Sequence, residues 1–278
     1  MRIGITGATG HIGGMVAAEL AEEGFSQRLL VRDAHQAPVL DCSEIRQVAY
    51  GGDATDALRG VRALLMVSAH ESPDRVAEHR AFIEDAAEAG VEHVVYTSFE
   101  GAGSDATFTL ARDHGATEEI LKASGMSWTF LRDNLYLDLV PYFANDQGVL
   151  RGPAGSGRFA GVARADVAAV AATVLRDPAR HAGRTYRLTG PEALTLDDVT
   201  RVWTEVTGRV LSYEPESVAD AYAWRRATGA EEWQVEAWVS TYLAIASGEM
   251  AEVTGDVERL LGRPPRSLAD VLRAQTAS

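Results

Sequence analysis

The chain has 278 residues, of which 46% are hydrophobic and 24% charged, a balance that supports a sizeable core and excludes disorder as the main state. Forty acidic residues face 26 basic ones, for a formal charge of −14, and a surface of that sign repels phosphate backbones, so no nucleic-acid partner is expected. A single cysteine, Cys42, excludes an internal disulfide and a cysteine-based zinc site.

Taken in chain order, Ile3–Thr6 reads as a short strand, and the glycine-rich segment behind it opens a helix predicted over 13–23, with Met15, Val16 and Leu20 on one side. Strands are predicted at 29–31 and 46–50. The run 63–67 is apolar throughout, as in a sheet covered on both faces. A helix over 75–90 ended by glycine, a strand at 93–97, a helix over 113–124 and a strand at 128–131 complete the first half. Strands separated by helices indicate βαβ units and a parallel sheet, and right-handed crossovers place helices on both of its faces.

The segment 148–161 holds five glycines and a proline and reads as turns or a hairpin bordering a cleft. A helix over 164–175 and a strand at 185–188 follow, and beyond Pro191 the pattern is mainly helical. The expected fold class is therefore α/β, a Rossmann-type doubly wound parallel sheet with a smaller, mainly helical C-terminal lobe. Residues 1–135, with 160–190 returning to them, make the expected NAD(P)-binding domain, and 136–159 and 191–278 the substrate-binding lobe. Trp203, Tyr213, Tyr222, Trp224, Trp233, Trp238 and Tyr242 gather in that lobe. They either pack it or line an apolar pocket for a flat ligand.

The segment Gly7-Ala8-Thr9-Gly10-His11-Ile12-Gly13 lies between a strand and a helix, which is what gives the glycine pattern its weight. Gly7 permits a tight turn, Gly10 lets the backbone approach a pyrophosphate, and Gly13 lets the helix pack close to the sheet. Unpaired N–H groups at the positive helix end then face the phosphates. Thr9, His11 and Ile12 belong to the same binding loop. The second strand ends in Arg32-Asp33. An acid there suits the ribose of NAD and an arginine the 2′-phosphate of NADP; Arg32 and NADPH are the expectation, with NADH second. Asp53 stands where a carboxylate either accepts from the adenine amino group or serves a turn. Ser68 and Ser98 follow the fourth and fifth strands, on the carboxyl side where cofactors bind.

These residues, continued through Tyr96-Thr97-Ser98, 114–121, Phe130-Leu131-Arg132-Asp133-Asn134-Leu135-Tyr136 and Leu260-Leu261-Gly262-Arg263-Pro264, make the chain resemble the atypical short-chain dehydrogenases of the NmrA-like group over nearly its whole length. Within that group the likeness is greatest to the NAD(P)H:quinone oxidoreductases and triphenylmethane reductases. The resemblance implies a Rossmann domain, a smaller C-terminal lobe, a substrate cleft between them, NADPH as hydride donor and a planar conjugated acceptor. Asp133 stands where those relatives usually carry asparagine.

Ordinary short-chain dehydrogenases place Tyr-x-x-x-Lys on a helix, the lysine lowering the pKa of the tyrosine. Here the corresponding positions hold His114 and Glu118, whose spacing keeps them on one helical face, where Glu118 favours a protonated His114. His114 is thus either a proton donor or a structural contact of Glu118, and Lys122 is expected in an ion pair with Glu118. Glu118 and Asn134 are further candidates for the cofactor's surroundings, and Tyr136 is the second candidate proton donor. Three functions share these features: an NADPH-dependent reductase of quinone-like or other conjugated aromatic compounds, a catalytically silent dinucleotide sensor, and a polyketide-tailoring reductase. No basic-then-apolar leader and no membrane-length apolar run is present, so a cytoplasmic protein without membrane contact, and with the option of a homodimer, is expected. The scattered histidines predict no metal site.

Overall fold

Short strands, three of them buried from end to end, set the architecture of a computed structural model that describes residues 1–276. The elements run β1 (Ile3–Thr6), α1 (His11–Glu22), β2 (Gln27–Val31), β3 (Ser43–Gln47), α2 (Thr55–Leu58), β4 (Ala63–Met66), α3 (Arg75–Glu88), β5 (His93–Phe99), α4 (Thr109–Ala123), β6 (Ser127–Asp133), β7 (Val149–Gly152), α5 (Arg164–Arg176), β8 (Arg184–Leu188), α6 (Leu196–Thr207), β9 (Ser212–Pro215), α7 (Val218–Ala227), α8 (Glu232–Ser247), α9 (Asp256–Leu261) and α10 (Leu268–Thr276). The chain divides into two compact units. One is Met1–Phe99, Asp113–Arg132 and Ala165–Tyr186; the other is Glu100–Arg112, Asp133–Arg164 and the chain from Arg187 onward.

In the first unit the strands lie in the order β3-β2-β1-β4-β5-β6-β8. The pairings from β3 through β5 are parallel, with Ile3 opposite both Gln27 and Ala63. The order reverses between β1 and β4, the place where open α/β sheets bind ligands beyond their carboxyl ends. Alternation along the strands divides the core. Leu30, Leu64, Met66, Val94 and Tyr96 pack with Phe82 and Ile83 of α3 and Leu121 of α4. The alternate residue Gln27 instead turns to α1, donating to the Ala17 carbonyl at 2.9 Å. Helices therefore cover both faces, and each large apolar side chain so buried stabilises the unit by about 2 kcal/mol. The doubly wound α/β expectation holds.

Two local expectations fail for identifiable reasons. The third strand covers 43–47 rather than 46–50. Its polar sequence, Ser-Glu-Ile-Arg-Gln, suits a sheet edge and conceals it. Val48 and Tyr50, which carried the apolar signal, pack on the core beyond the strand's end. In the second unit the segment 148–161 takes turns at 153–156 rather than a hairpin, and β7 pairs in parallel with β9, Val149 opposite Ser212, a strand inside the region expected to be mainly helical. The rest of that region is helical. Thr195 caps α6 in a reciprocal box with Asp198, and Ser217 caps α7. Ala221, Val235 and Val239 form a small core where α7 meets α8.

His79 of α3 is fully buried in the first unit. Its Nε2 accepts from the Ala69 N–H at 2.9 Å, so the ring proton sits on Nδ1 and donates to Thr117 Oγ1 at 2.9 Å; that hydroxyl donates to the Asp113 carbonyl. Burial, with help from the Arg75 charge, pushes its pKa down from 6.5 to about 3. Between those values the unfolded chain binds a proton that the folded one refuses, so stability is full above about pH 6.5 and falls as the pH drops. Urea unfolding at pH 7.5 and pH 5.0 should show a loss of about 2 kcal/mol for the wild type from this residue alone. That component should vanish in His79→Gln.

Candidate functional site

The turn after β1 is built from backbone constraints. Gly7 adopts a φ of +64°, in the left-handed region that glycine enters without a Cβ penalty. Gly13, in the first turn of α1, approaches so closely that a Cβ there would overlap the Gly7 carbonyl oxygen. The Gly10 N–H donates to the Gly7 carbonyl at 2.8 Å, closing the turn. Unlike α6 and α7, α1 has no side-chain cap at its first residue and no acid in its first turn. Its leading N–H groups and the positive end of its dipole therefore face outward for an anion.

That loop forms one wall of a crevice of about 280 Å3 in the first unit. Gly7, Thr9, Gly10, Arg32 and Ser68 all line it, so five of the expected cofactor residues come together. His11 stands exposed on the first turn of α1, with Ile12 and Gly13 buried behind the loop. The Arg32 side chain is exposed at the crevice. Its neighbour Asp33 is otherwise engaged, accepting from the His35 N–H at 2.9 Å and from Gln36 Nε2 at 3.1 Å. Asp53 is absent from the lining; its carboxylate accepts from the Thr55 N–H at 3.0 Å and serves the turn into α2.

Tyr50, unforeseen as a site residue, lines the crevice and ties its floor together. Its hydroxyl donates to the Val67 carbonyl at 2.5 Å and lies 3.1 Å from Thr6 Oγ1, while burial holds its pKa above the usual phenol value. In the sequence Tyr50 reads as the last residue of the third strand, which gives no hint of a site role. Ser68 is fixed through its backbone, its N–H donating to Thr97 Oγ1 at 2.9 Å.

The His114–Glu118 pair expected on α4 does not form. His114 is buried, its Nε2 accepting from Arg75 at 3.2 Å and its Nδ1 lying 2.9 Å from the Tyr96 hydroxyl. Burial and the adjacent Arg75 charge hold its pKa well below 6.5, so the ring is neutral, with its proton on Nδ1. Glu118 turns to other partners: it accepts from Ser98 Oγ at 2.6 Å and pairs with Arg132 at 2.6 Å. Lys122 pairs with Glu119 at 2.7 Å, because Glu118 is buried and Glu119 is not. The shared helical face was read correctly, but Arg75 and Arg132 come from α3 and β6, which no spacing along α4 reveals.

In the second unit Asn134 is buried, its Nδ2 donating to the Met250 carbonyl at 2.9 Å. Tyr136 donates its hydroxyl proton to Asp133 Oδ2 at 2.8 Å. Burial keeps the Asp133 carboxyl well above the usual carboxylate range, against the pull of that hydrogen bond. No described helix is long and apolar enough to cross a membrane, and no group of three or more potential metal ligands occurs among the described residues.

The family model for NAD(P)H-binding proteins matches residues 7–178. Quinone oxidoreductase 2 of Escherichia coli is 33% identical over 96% of this chain and 96% of its own length. The crystal structure of the NADPH-dependent quinone oxidoreductase of that organism, complexed with NADPH, superposes with a TM-score of 0.88 at 32% identity, covering 99% of each chain. Triphenylmethane reductase from Citrobacter sp., complexed with NADP(H), gives 0.84 at 28% identity over 98% of this chain and 99% of its own.

Gly13→Ala should displace α1, costing about 1–3 kcal/mol in a thermal or urea melt and weakening dinucleotide binding at least tenfold by titration. Gly10→Ala should cost less stability, because its Cβ would lie 3.3 Å from the Gly7 oxygen and asks only a small adjustment. Equal costs for the two would refute the close-approach argument.

Proposed function

This chain belongs to the NAD(P)H-binding family and is an oxidoreductase of the NmrA-like group, and on that premise we propose that it takes NADPH and reduces a planar, conjugated acceptor of the quinone type. The observation that carries the cofactor choice is the difference between two neighbours at the end of β2. Asp33 spends its carboxylate on the turn that follows, whereas Arg32 presents its guanidinium at the crevice. A planar fork of donors suits a 2′-phosphate, and a carboxylate already engaged is a poor ligand for a ribose diol.

The rest of the crevice fits a dinucleotide by the same reasoning. Gly7 and Gly10 leave room for a pyrophosphate, the open N-terminus of α1 offers it N–H donors, and Gly13 permits the helix to stand that close. When bound, NADPH supplies the hydride. Ser98 and Glu118 act as positioning residues that hold Arg132, and Asn134 braces the chain leaving β6.

The acceptor class follows from what the helical pair is unable to do. His114 is neutral and committed to Arg75 and Tyr96, and Glu118 is committed to Arg132, so neither serves as the acid of an ordinary ketone reduction. A quinone-like ring spreads the incoming charge over a conjugated system and needs chiefly to be held in position. The names of the relatives, a quinone oxidoreductase and a triphenylmethane dye reductase, support the same class. We assign proton donation to Tyr136. Its phenol is anchored by Asp133, and the buried carboxyl of Asp133 is suited to hold a proton and return it.

Steady-state NADPH oxidation with menadione and a panel of other quinones should show saturable turnover. Tight NADPH binding without turnover on any acceptor would instead make the protein a dinucleotide sensor. Arg32→Ala should weaken NADPH by about 10–100-fold, or roughly 1.4–2.8 kcal/mol, and leave NADH nearly unchanged; equal loss for both removes Arg32 from phosphate recognition. Tyr136→Phe should lower kcat at least tenfold with NADPH affinity intact. His114→Ala should lower the melting temperature, by stranding Arg75 and Tyr96, with a much smaller effect on kcat. The reverse pattern would exchange the roles of Tyr136 and His114.

A further inference from the structure

The second unit contains a cavity of about 520 Å3 formed by the turn at 140–143, β7, α7 and α8, within the size range of small-molecule sites. Its wall is largely aromatic, with Phe143, Trp224, Trp238 and Tyr242. Phe143, Trp224 and Trp238 retain 46%, 42% and 39% exposure, an unusual concentration of large apolar surface around one opening.

A buried ion pair holds this wall in place. Glu216 and Arg225, each 4% exposed, pair at 2.9 Å, and the second Glu216 oxygen accepts the Trp224 indole N–H at 2.9 Å. Arg225 also donates to the carbonyls of Ala221 and Arg151, both at 3.0 Å. Its guanidinium carbon lies 4.2 Å from the Trp224 ring centre and 5.2 Å from that of Tyr242. With these partners in place, the Trp224 and Tyr242 rings have little freedom left to lose on stacking against a ligand.

The charged residues that line the cavity are of one sign. Arg151 and Arg225 line it and no carboxylate does, in a chain of net charge −14. Arg225 is already neutralised by Glu216. Arg151 meets Glu214 only at 3.5 Å, between side chains that are both about half exposed, an arrangement worth little and easily exchanged.

We propose that this cavity binds a planar aromatic anion of naphthalene size, its ring stacked on the aromatic wall and its charge on Arg151. None of the lining residues belongs to the dinucleotide crevice, so the inference stands apart from the reductase reading.

Naphthalene-2-sulfonate, which accepts no hydride, is a suitable probe on the full-length protein by calorimetry and tryptophan quenching. It should bind saturably at one site. Trp238→Ala should weaken it about tenfold. Arg151→Ala should weaken the sulfonate about fivefold or more and leave 2-naphthol, neutral at pH 7, unchanged. Both side chains are substantially exposed, so melting temperature and NADPH affinity should stay at wild-type values in both variants. Absence of saturable binding, or equal binding to both variants, overturns the proposal. So does a dimer in sedimentation that Trp238→Ala dissociates, since a second copy would then be what covers the wall. Menadione turnover without sulfonate binding refutes this site alone, and sulfonate binding without turnover refutes only the reductase.

Discussion

Helix α1 begins so near the carbonyl end of β1 that two backbones share the space a side chain would normally fill. Gly13 tolerates the contact with the Gly7 carbonyl because it has no Cβ, and Gly7 turns the chain through a left-handed conformation to make that contact possible. The consequence is electrostatic. An uncapped helix end is brought to the edge of the sheet where the strand order reverses, and it faces a crevice rather than a capping side chain. The second strand then delivers Arg32 to the same crevice, and Tyr50 and Thr6 close its floor through their hydroxyl groups.

Around that crevice the titratable groups of the first unit are held still rather than poised for chemistry. His79 is kept neutral by burial, and its ring is oriented by one backbone N–H and one hydroxyl. His114 is likewise neutral and held between Arg75 and Tyr96. Glu118 remains paired with Arg132, in a geometry where removing Arg132 would leave a buried carboxylate without its counter-charge. Such a frame is built to hold its groups in position and offers few free acids.

The second unit spends its buried charges differently. Glu216 and Arg225 set the orientation of Trp224 and Tyr242, so a desolvated ion pair gives rigidity to an aromatic wall. The late cluster of aromatic residues thus divides its work. Trp224, Trp238 and Tyr242 line the cavity, while Trp203 meets Tyr142 edge-on at 6.3 Å outside the lining.

The parallel α/β fold, the glycine loop and the Arg32 position were legible in the sequence because each is a local pattern. Strand apolarity, glycine spacing and the residue at a strand end are written within a few positions of one another. The β3 edge and the β7–β9 pair were illegible: a polar edge strand lacks the apolar signal, and a parallel partner many elements away leaves no trace in either segment. The same division runs through the site. Spacing alone put His114 and Glu118 on one face of α4, but whether they met depended on what the neighbouring elements supplied. Arg75 arrived from α3 and Arg132 from β6, and each captured one member of the pair. A buried histidine or carboxylate takes the partner that best satisfies it after desolvation, and that partner is chosen by packing between distant segments, not by the order of residues along the chain.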